Sequence, residues 1–453
     1  MSLKVSISGI RGLYPDDLSE QLVLNYVNAF CSIQDDGDII IGYDGRSHGS
    51  HILEIIRDSI IRNNRHVVNV GLVPTPSIQF LTNRYNNFSG AIMVTASHNP
   101  IEWNGMKFMD SDGCFISKTK FSLLVSTYNK LISQNNKSKI NFSRGKELSR
   151  LYSIEEHIDH TINLDIIPKE DIINNSFSVT IDTINGAGSK AIPMLLEKLN
   201  CSCSQINFKT GVPYPRDPEP RKENLTDFSI KVKENKSDIG FATDPDADRL
   251  CLVNEKGSAI NEEMTLSLCT DFYYMKTNSN KAVATNLSTT KLIDDIASMH
   301  KSHSIRSAVG EINVVNLMKE HGIDFGGEGN GGIIYRQSHL GRDSIVGASL
   351  ILSYLSYYKE PISKSIDKYK KYYMVKEKIN ADLYNIDTLN DFIKSNYKNA
   401  SVNYLDGVKI VINDDSWVHI RSSNTEPIIR IIAESDSIKK TNNLIDSFKE
   451  SIC

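Results

Sequence analysis

Residues 91–100 read Ala-Ile-Met-Val-Thr-Ala-Ser-His-Asn-Pro, and this stretch indicates both a fold and a site. The apolar run 91–94 is typical of a buried strand, and Asn99-Pro100 is a turn signal that ends it. The hydroxyl of Ser97 therefore lies in a loop at the end of a strand, where a packed sheet gives a reacting group rigid support. Taken alone, a serine beside a histidine is more often a turn residue that bonds its own backbone.

Length and composition exclude several classes of protein. At 453 residues the chain exceeds what one hydrophobic core supports, so about three or four domains are expected. A net charge of -4 and a pI of about 6.3 provide neither the basic field that nucleic acid needs nor a polybasic membrane patch. Seven cysteines without metal or redox spacing, and an N-terminus without a signal-peptide core, predict a cytoplasmic protein with reduced thiols.

Strand and helix patterns alternate through most of the chain. Residues 1–147, 148–254 and 255–366 each read as a βαβ-type series, which predicts three α/β domains with mixed, mostly parallel sheets. Residues 367–453 contain closely spaced strands and a final helix, which predicts a C-terminal α+β domain with an antiparallel sheet. The similar lengths of the first three units suggest a structural repeat. The Lys- and Tyr-rich run Lys364–Lys378 reads as a linker with a solvated face.

Binding sites in open α/β sheets lie beyond the carboxyl ends of the strands. Ser97 and Arg46 both follow predicted strands, so both are candidates for such a site. For Arg46, a surface salt bridge is an equally good interpretation.

Asp244, Asp246 and Asp248 alternate along an extended stretch, which puts their carboxylates on one side of the backbone. Three converging carboxylates repel one another unless a cation lies among them, and hard oxygen ligands favour Mg²⁺. A salt-bridged surface loop is the simpler alternative. A calcium EF-hand is disfavoured, because Arg249 stands where that loop needs glycine and the flanking residues read as strands.

Two later loops suit a sugar phosphate. Residues 421–427 offer hydroxyls, backbone amides and Arg421, and with Arg430 they match a phosphate dianion; a hydrophilic hairpin turn is an equal alternative. Glu328 and Asn330 lie among glycines, and a carboxylate beside an amide suits vicinal sugar hydroxyls. For that motif alone, a flexible loop is the more common explanation.

In this order, the segments Thr95–Pro100, Asp244–Arg249, Gly327–Gly331 and Arg421–Pro427 resemble the phosphoserine, metal, sugar and phosphate loops of the α-D-phosphohexomutase superfamily. The resemblance covers the whole chain and implies an isomerase whose four domains surround a central cleft. Such an enzyme interconverts hexose 6-phosphate and 1-phosphate through a phosphoserine and a 1,6-bisphosphate intermediate. The implied cofactor is one Mg²⁺ per active site, with glucose or glucosamine 1,6-bisphosphate as activator.

The resemblance also implies a role for each matching residue. Ser97 would carry the phosphoryl group, and a phosphoserine oxygen would hold the metal together with the three aspartates, Asp244, Asp246 and Asp248. Lys107 is the first candidate for general acid/base catalysis, and His98 either orients the loop or relays a proton. Arg11 and Arg249 would stabilise charge near Ser97. The implied substrate-binding residues are Glu328, Asn330, Arg421, Ser422, Ser423, Asn424, Thr425 and Arg430.

The sequence departs from the family pattern in two places. Many members carry a histidine just after the sugar loop, where Gly331-Gly332 stands here. The second proton-transfer group is therefore open, and His339 is a substitute candidate. The phosphate loop has Asn424 where glycine is frequent, a change that asparagine tolerates because it adopts left-handed conformations.

The Glu-x-Asn-Gly pattern of residues 328–331 is similar to sugar loops of amino-sugar mutases, which favours conversion of glucosamine 6-phosphate to glucosamine 1-phosphate. Glucose and mannose phosphates are close alternatives, because one side chain changes such preferences by about 1–3 kcal/mol. A non-catalytic sugar-phosphate binder is disfavoured by the retained Ser97 and Lys107, and a metal-dependent phosphatase would release phosphate to water. The expected partner is a small sugar phosphate, and the expected protein is a monomer or homodimer.

Overall fold

A computed structural model describes residues 3–133, 145–150, 152–381, 385–422 and 428–452. The strands are β1 (Lys4–Ser6), β2 (Gly9–Leu13), β3 (Asp38–Tyr43), β4 (Val67–Leu72), β5 (Phe88–Val94), β6 (Trp103–Asp110), β7 (Glu147–Ser149), β8 (Ser178–Asp182), β9 (Ser202–Ile206), β10 (Ile239–Thr243), β11 (Leu250–Asn254), β12 (Val283–Asn286), β13 (Ser304–Ser307), β14 (Phe325–Glu328), β15 (Gly332–Tyr335), β16 (Tyr373–Asn380), β17 (Ser401–Asn403), β18 (Val408–Asn413), β19 (Ser416–Ser422) and β20 (Ile428–Ser435).

The helices are α1 (Glu20–Ile33), α2 (Gly49–Arg62), α3 (Thr75–Arg84), α4 (Lys118–Ser133), α5 (Ser153–Ile162), α6 (Lys169–Asn175), α7 (Gly188–Lys198), α8 (Thr226–Glu234), α9 (Glu263–Thr277), α10 (Leu292–Met299), α11 (Glu311–His321), α12 (Ser344–Tyr358), α13 (Ile362–Ile366), α14 (Ile386–Asn396) and α15 (Ile438–Ile452). None of these helices, within the described ranges, has the length and apolar character needed to cross a membrane.

The first three sheets share one topology. In the first sheet the order β4-β3-β5-β6 places β3 parallel to both β4 and β5, and β6 antiparallel to β5. The orders β9-β8-β10-β11 and β13-β12-β14-β15 repeat this arrangement with the same strand directions. The structural repeat suggested by the sequence is therefore confirmed. The first sheet carries β1 and β2 beyond β6, and β7 beyond β4.

The shared topology puts three sequence motifs at equivalent positions. In each repeat the turn between the third and fourth strands carries one of them: Ser97 follows β5, the aspartates 244–248 follow β10, and residues 329–331 follow β14. These turns lie at the carboxyl ends of the parallel strands, where open α/β sheets place their sites. Strand β5 is buried over its whole length, which explains the unbroken apolar run before the serine loop.

The fourth sheet has the order β16-β20-β19-β18-β17 with antiparallel neighbours, and α14 and α15 complete the predicted α+β domain. The predicted linker Lys364–Lys378 is wrong, since β16 pairs with β20 from Tyr373 to Asn380. The error has a physical cause: β16 is an edge strand with few buried positions, so its composition resembles that of a solvated segment.

The cores follow the same division. One cluster of buried apolar side chains runs through the first three sheets, whereas the fourth domain has a cluster of its own. Helix α12 is buried over most of its length, and Asp343 caps it by accepting from the backbone N–H of Ile345 at 2.8 Å. The domain limits at 147, 254 and 366 stay predictions. Strand β4 continues through Gly71, which adopts φ 66° at an irregularity in the pairing with β3.

Candidate active site

The loop that carries Ser97 is held in an unusual backbone conformation. Ser97 is buried and has φ 53°, in the left-handed region that non-glycine residues seldom adopt. Its backbone N–H donates to the hydroxyl of Thr95 at 2.8 Å, and that hydroxyl in turn donates to Asp44 at 2.6 Å. Thr95 and Asp44 thus hold the backbone of Ser97 in this conformation.

Arg46 holds the same loop from the neighbouring strand end. Its Nε donates to Asp44 Oδ2 at 2.9 Å, and its Nη groups donate to the carbonyl oxygens of Ser97, Asn99, Pro100 and Trp103. Both members of the Arg46–Asp44 pair are fully buried, so the alternative of a surface salt bridge is wrong. Arg46 belongs to the site because it supports the backbone of the serine loop.

The three aspartates meet as the alternation predicts. One carboxylate oxygen from each of Asp244, Asp246 and Asp248 lies within 4.8 Å of the others, and all three residues are buried. Asp244 Oδ2, Asp246 Oδ1 and Asp248 Oδ1 have no hydrogen-bond partner in the described part of the chain. Burial, and then repulsion from the other two carboxylates, raises the pKa of Asp244 well above its ordinary value. Three unpartnered oxygens in one buried place fit a hard divalent cation. The flanking elements are strands, which excludes the EF-hand alternative.

A lysine and a threonine of the first domain contact these carboxylates. Lys107 Nζ lies 2.6 Å from Asp246 Oδ2 and 3.4 Å from Asp248 Oδ2. Burial lowers the pKa of Lys107, but the two aspartates more than offset that effect, and its net pKa lies above the ordinary value. The Thr75 hydroxyl also donates to Asp246 Oδ2, at 2.6 Å. Lys107 is therefore a charged ammonium in this arrangement and can act first as a proton donor.

Arg249 connects the metal loop to the serine loop. Its Nη2 lies 3.3 Å from His98 Nδ1, and the Ser97 hydroxyl lies 3.3 Å from the same nitrogen. Burial, reinforced by the charge of Arg249, holds the pKa of His98 well below its ordinary value. A neutral ring whose Nδ1 accepts from Arg249 favours the orienting role of His98 over the proton relay. Glu219, which the sequence analysis missed, holds Arg249 through an ion pair of 3.1 Å.

Arg11 binds the serine loop from β2. Its Nη1 donates to Ala96 O at 3.3 Å and to Asn99 Oδ1 at 3.1 Å, and its Nη2 donates to Ser8 O at 3.1 Å. Burial lowers the pKa of Arg11 to about 10, with Asp246 opposing the shift. The guanidinium therefore lies within electrostatic reach of both the serine loop and the metal loop.

The sugar-loop carboxylate is buried and already oriented. Glu328 Oε1 accepts from Asn286 Nδ2 at 2.8 Å and from Gly310 N at 3.0 Å. Its Oε2 accepts from Arg342 Nη1 at 2.9 Å. A carboxylate offers about four acceptor positions, so roughly one remains for a sugar hydroxyl. Asn330 is half-buried, and its Oδ1 accepts from Gly332 N at 3.2 Å.

The fourth motif begins at the end of β19. Arg421 and Arg430 are paired across β19 and β20, so both side chains leave the same face of the sheet. Burial and Arg430 lower the pKa of Arg421, whereas Asp406 and Glu328 oppose the shift, so Arg421 is within electrostatic reach of the sugar loop. Ser422 is exposed; Ser423, Asn424 and Thr425 lie outside the described residues.

His339 does not have the environment of a second proton-transfer group. Its Nε2 contacts Asp343 Oδ2 at 3.2 Å, and its ring packs against His157, whose Nε2 lies 3.0 Å from the same oxygen. These residues form a buried polar cluster at the start of α12, and within the described ranges their side-chain bonds reach Ser77 and one another rather than the serine or sugar loop. The substitute role considered for His339 is therefore not supported.

Comparison with known proteins defines the class: fold and chain length match enzymes that isomerise hexose phosphates. Family models for the four domains of phosphoglucomutase/phosphomannomutase match residues 3–135, 155–257, 261–372 and 377–451. The chain belongs to the phosphoglucomutase/phosphomannomutase family, within the α-D-phosphohexomutase superfamily. The resemblance inferred from the sequence and the four-domain fold class are thereby confirmed.

Individual relatives span nearly the whole chain. A phosphoglucomutase/phosphomannomutase of Thermococcus kodakarensis is 31% identical over 97% of this chain and 96% of its own length. A phosphoglucosamine/phosphogalactosamine mutase of Sulfurisphaera tokodaii is 28% identical and covers 98% of each chain. Among solved structures, a family protein of Burkholderia thailandensis superposes with a TM-score of 0.83 at 22% identity, covering 99% of this chain and 97% of its own.

Proposed function

We propose that this phosphohexomutase works through a phosphorylated Ser97. The phosphoryl group on the Ser97 oxygen passes to a hydroxyl of a hexose monophosphate, which forms a 1,6-bisphosphate and frees the serine. The bisphosphate reorients within the site without leaving it. Its other phosphoryl group is then transferred to Ser97, which leaves the isomeric monophosphate. The observation that supports this cycle most strongly is that His98 and Arg249 link Ser97 to the metal loop, whose three aspartates are buried together.

The surrounding residues suit each step. Lys107 would supply a proton when the serine oxygen leaves; its buried ammonium, paired with Asp246, supports this role. Arg11 and Arg249 would stabilise the oxygens of the moving group, as preorganised cations do in phosphoryl transfer. Mg²⁺ would be held by Asp244, Asp246, Asp248 and a phosphoserine oxygen, and when bound it neutralises phosphoryl charge.

The sugar hydroxyls and the non-reacting phosphate of the substrate need binding residues of their own. Glu328 and Asn330 are proposed to bind the sugar hydroxyls, because they present an acceptor and an amide beside the metal loop. Arg421 and Arg430, with Ser422 and residues 423–425, would bind the remote phosphate. Glucose or glucosamine 1,6-bisphosphate would activate the enzyme by restoring phosphate to Ser97.

For the substrate, we propose glucosamine 6-phosphate and glucosamine 1-phosphate. The Glu-x-Asn-Gly sugar loop and the similarity to the Sulfurisphaera tokodaii relative support this choice. Glucose and mannose phosphates are the second candidates, because the Thermococcus kodakarensis relative is a phosphoglucomutase/phosphomannomutase.

A turnover comparison tests the proposal. Purified enzyme with Mg²⁺ and a trace of 1,6-bisphosphate is given glucosamine, N-acetylglucosamine, glucose and mannose 6-phosphates in parallel. The highest kcat/KM is expected for glucosamine 6-phosphate, and no activity for Ser97→Ala with any sugar. A higher kcat/KM for glucose or mannose would overturn the substrate, and near-normal turnover by Ser97→Ala would overturn the phosphoserine cycle.

A further inference from the structure

Arg342 lies at the junction of the metal and sugar loops and was not foreseen from the sequence. It is buried in the turn between β15 and α12. Its three nitrogens contact three carboxylates: Nη2 with Asp248 Oδ2 at 2.6 Å, Nη1 with Glu328 Oε2 at 2.9 Å, and Nε with Glu311 Oε2 at 3.0 Å. Only a planar guanidinium offers donors in a fixed fork that can hold three carboxylates at once.

The contact with Arg342 gives the two oxygens of the Asp248 carboxylate different environments. Asp248 Oδ2 is taken by Arg342, and more distantly by Lys107, whereas Oδ1 is the buried oxygen without a hydrogen-bond partner in the described ranges. Arg342 therefore holds the Asp248 carboxylate at Oδ2 and leaves Oδ1, which lies 3.7 Å from Arg249 Nε, as the oxygen free to bind a metal. Partners of this kind orient metal ligands and tune their affinity.

Arg342 also orients the carboxylate of Glu328 in the sugar loop. Asn286 and Gly310 hold Oε1 of that carboxylate, and Arg342 holds Oε2, so the plane of the group is fixed. Glu311 anchors the arginine from α11 and is itself held by Gln79 Nε2 at 3.0 Å. One rigid guanidinium thus contacts both the proposed metal ligand Asp248 and the proposed sugar-binding residue Glu328.

The neighbouring glycine explains how Arg342 reaches this place. A Cβ built on Gly332 would overlap Cδ of Arg342 and would lie 2.8 Å from its Cγ. Any side chain at position 332 must therefore displace the arginine stem. This steric link offers a way to disturb Arg342 without removing a charge.

We propose that Arg342 is a positioning residue that couples metal binding to sugar binding, by orienting Asp248 and Glu328 together, and that Gly332 exists to make room for it. The proposal rests on the proposed function for the roles of those two carboxylates. It predicts that disturbing Arg342 weakens Mg²⁺ and substrate binding in parallel, through its contacts with Asp248 and Glu328.

The test compares Arg342→Lys, Arg342→Ala, Gly332→Ala and the double variant Gly332→Ala/Arg342→Ala. Arg336→Lys is the matched control, since Arg336 bonds the backbone oxygen of Ile323 at 2.9 Å and follows the end of β15 opposite to Gly332. For each protein, calorimetry gives the Kd for Mg²⁺ without turnover, steady-state kinetics give KM and kcat for the sugar phosphate, and a melting curve reports folding.

Arg342→Lys and Gly332→Ala are expected to raise both the Kd for Mg²⁺ and the KM by about 10- to 100-fold. Arg336→Lys should match the wild type in both. The double variant should be no worse than Arg342→Ala, because the arginine stem is the nearest obstacle to a Cβ at 332, ahead of Asn330 Oδ1 at 3.1 Å. If Arg342→Ala does not fold, the comparison of Arg342→Lys with Gly332→Ala decides.

The proposal would be overturned if Arg342→Lys left the Kd for Mg²⁺ and the KM unchanged, or changed only one of them. Additive effects in the double variant would also overturn it. Failure of the proposed function gives a different pattern, in which the wild type binds Mg²⁺ but forms no bisphosphate. The calorimetric comparison is valid in either case because it needs no turnover.

Discussion

Replacing Arg46 should separate the support of the serine loop from the chemistry that the loop performs. Arg46→Ala removes the buried partner of Asp44 and the donors to the carbonyl oxygens of Ser97, Asn99, Pro100 and Trp103. Breaking a buried ion pair by deleting one partner costs about 3–5 kcal/mol, because the remaining charge stays buried. We expect a loss of that size in the free energy of unfolding of the first domain.

The effect on turnover has a separate origin. With the carbonyl oxygens released, Ser97 loses the support for its left-handed backbone, and a displacement of about 1 Å at a reacting atom costs roughly 10²-fold in rate. Arg46→Lys sharpens the test. The ammonium still neutralises Asp44, but its point charge cannot span the carbonyl oxygens as the guanidinium does. Arg46→Lys should therefore keep most of the stability and lose most of the turnover.

The measurements are urea unfolding, followed by circular dichroism, and kcat with a sugar phosphate. Arg65→Ala is the matched control, because Arg65 also donates to backbone carbonyl oxygens, those of Gln34, Asp35 and Gly37, at the opposite end of the sheet. It should lower stability and leave turnover close to that of the wild type. Wild-type turnover in Arg46→Lys, or an equal loss in Arg65→Ala, would refute the reasoning.

Three further perturbations follow from the site and its surroundings. Removal of divalent cations with EDTA should stop turnover, and Mg²⁺ should restore it; full activity in EDTA would exclude the metal role. The variant Asp244→Asn should need more Mg²⁺ than the wild type to reach its half-maximal rate. Lys107→Gln should lower kcat by about 10²–10⁴-fold with substrate binding retained, and an unchanged kcat would exclude proton donation. Burial raises the pKa of Glu263 from 4.5 to about 8. Because the folded chain holds that proton more tightly, the stability from Glu263 is present at acidic pH and lost as the pH rises towards 8. The melting temperature of the wild type should therefore fall across that window, and that of Glu263→Gln should fall less; equal slopes would contradict the shift.

Local patterns in the sequence were sufficient for the loops that carry the chemistry. The apolar run before Ser97 and the alternation of the aspartates 244–248 are properties of adjacent residues, and both survive in the structure. The strand and helix patterns likewise predicted four domains, because burial on both faces of a parallel sheet leaves a clear signature.

Residues whose partners are distant in sequence were harder to interpret. Arg46 reaches carbonyl oxygens more than 50 residues away, and its sequence neighbours say nothing about its burial. The wrong linker has a similar cause: Lys376 looks like part of a solvated run, yet it pairs with Glu262 of the third domain at 2.8 Å. Arg342 had one signal, the adjacent glycines at 331 and 332, but a sequence does not show which side chain needs their space.

The most direct measurement is mass spectrometry of the purified protein, before and after incubation with glucose 1,6-bisphosphate and Mg²⁺. A single added phosphate on the peptide that contains Ser97, absent in Ser97→Ala, is the expected result. A wild-type protein that interconverts hexose phosphates while the Ser97 peptide never gains a phosphate would contradict the proposed cycle.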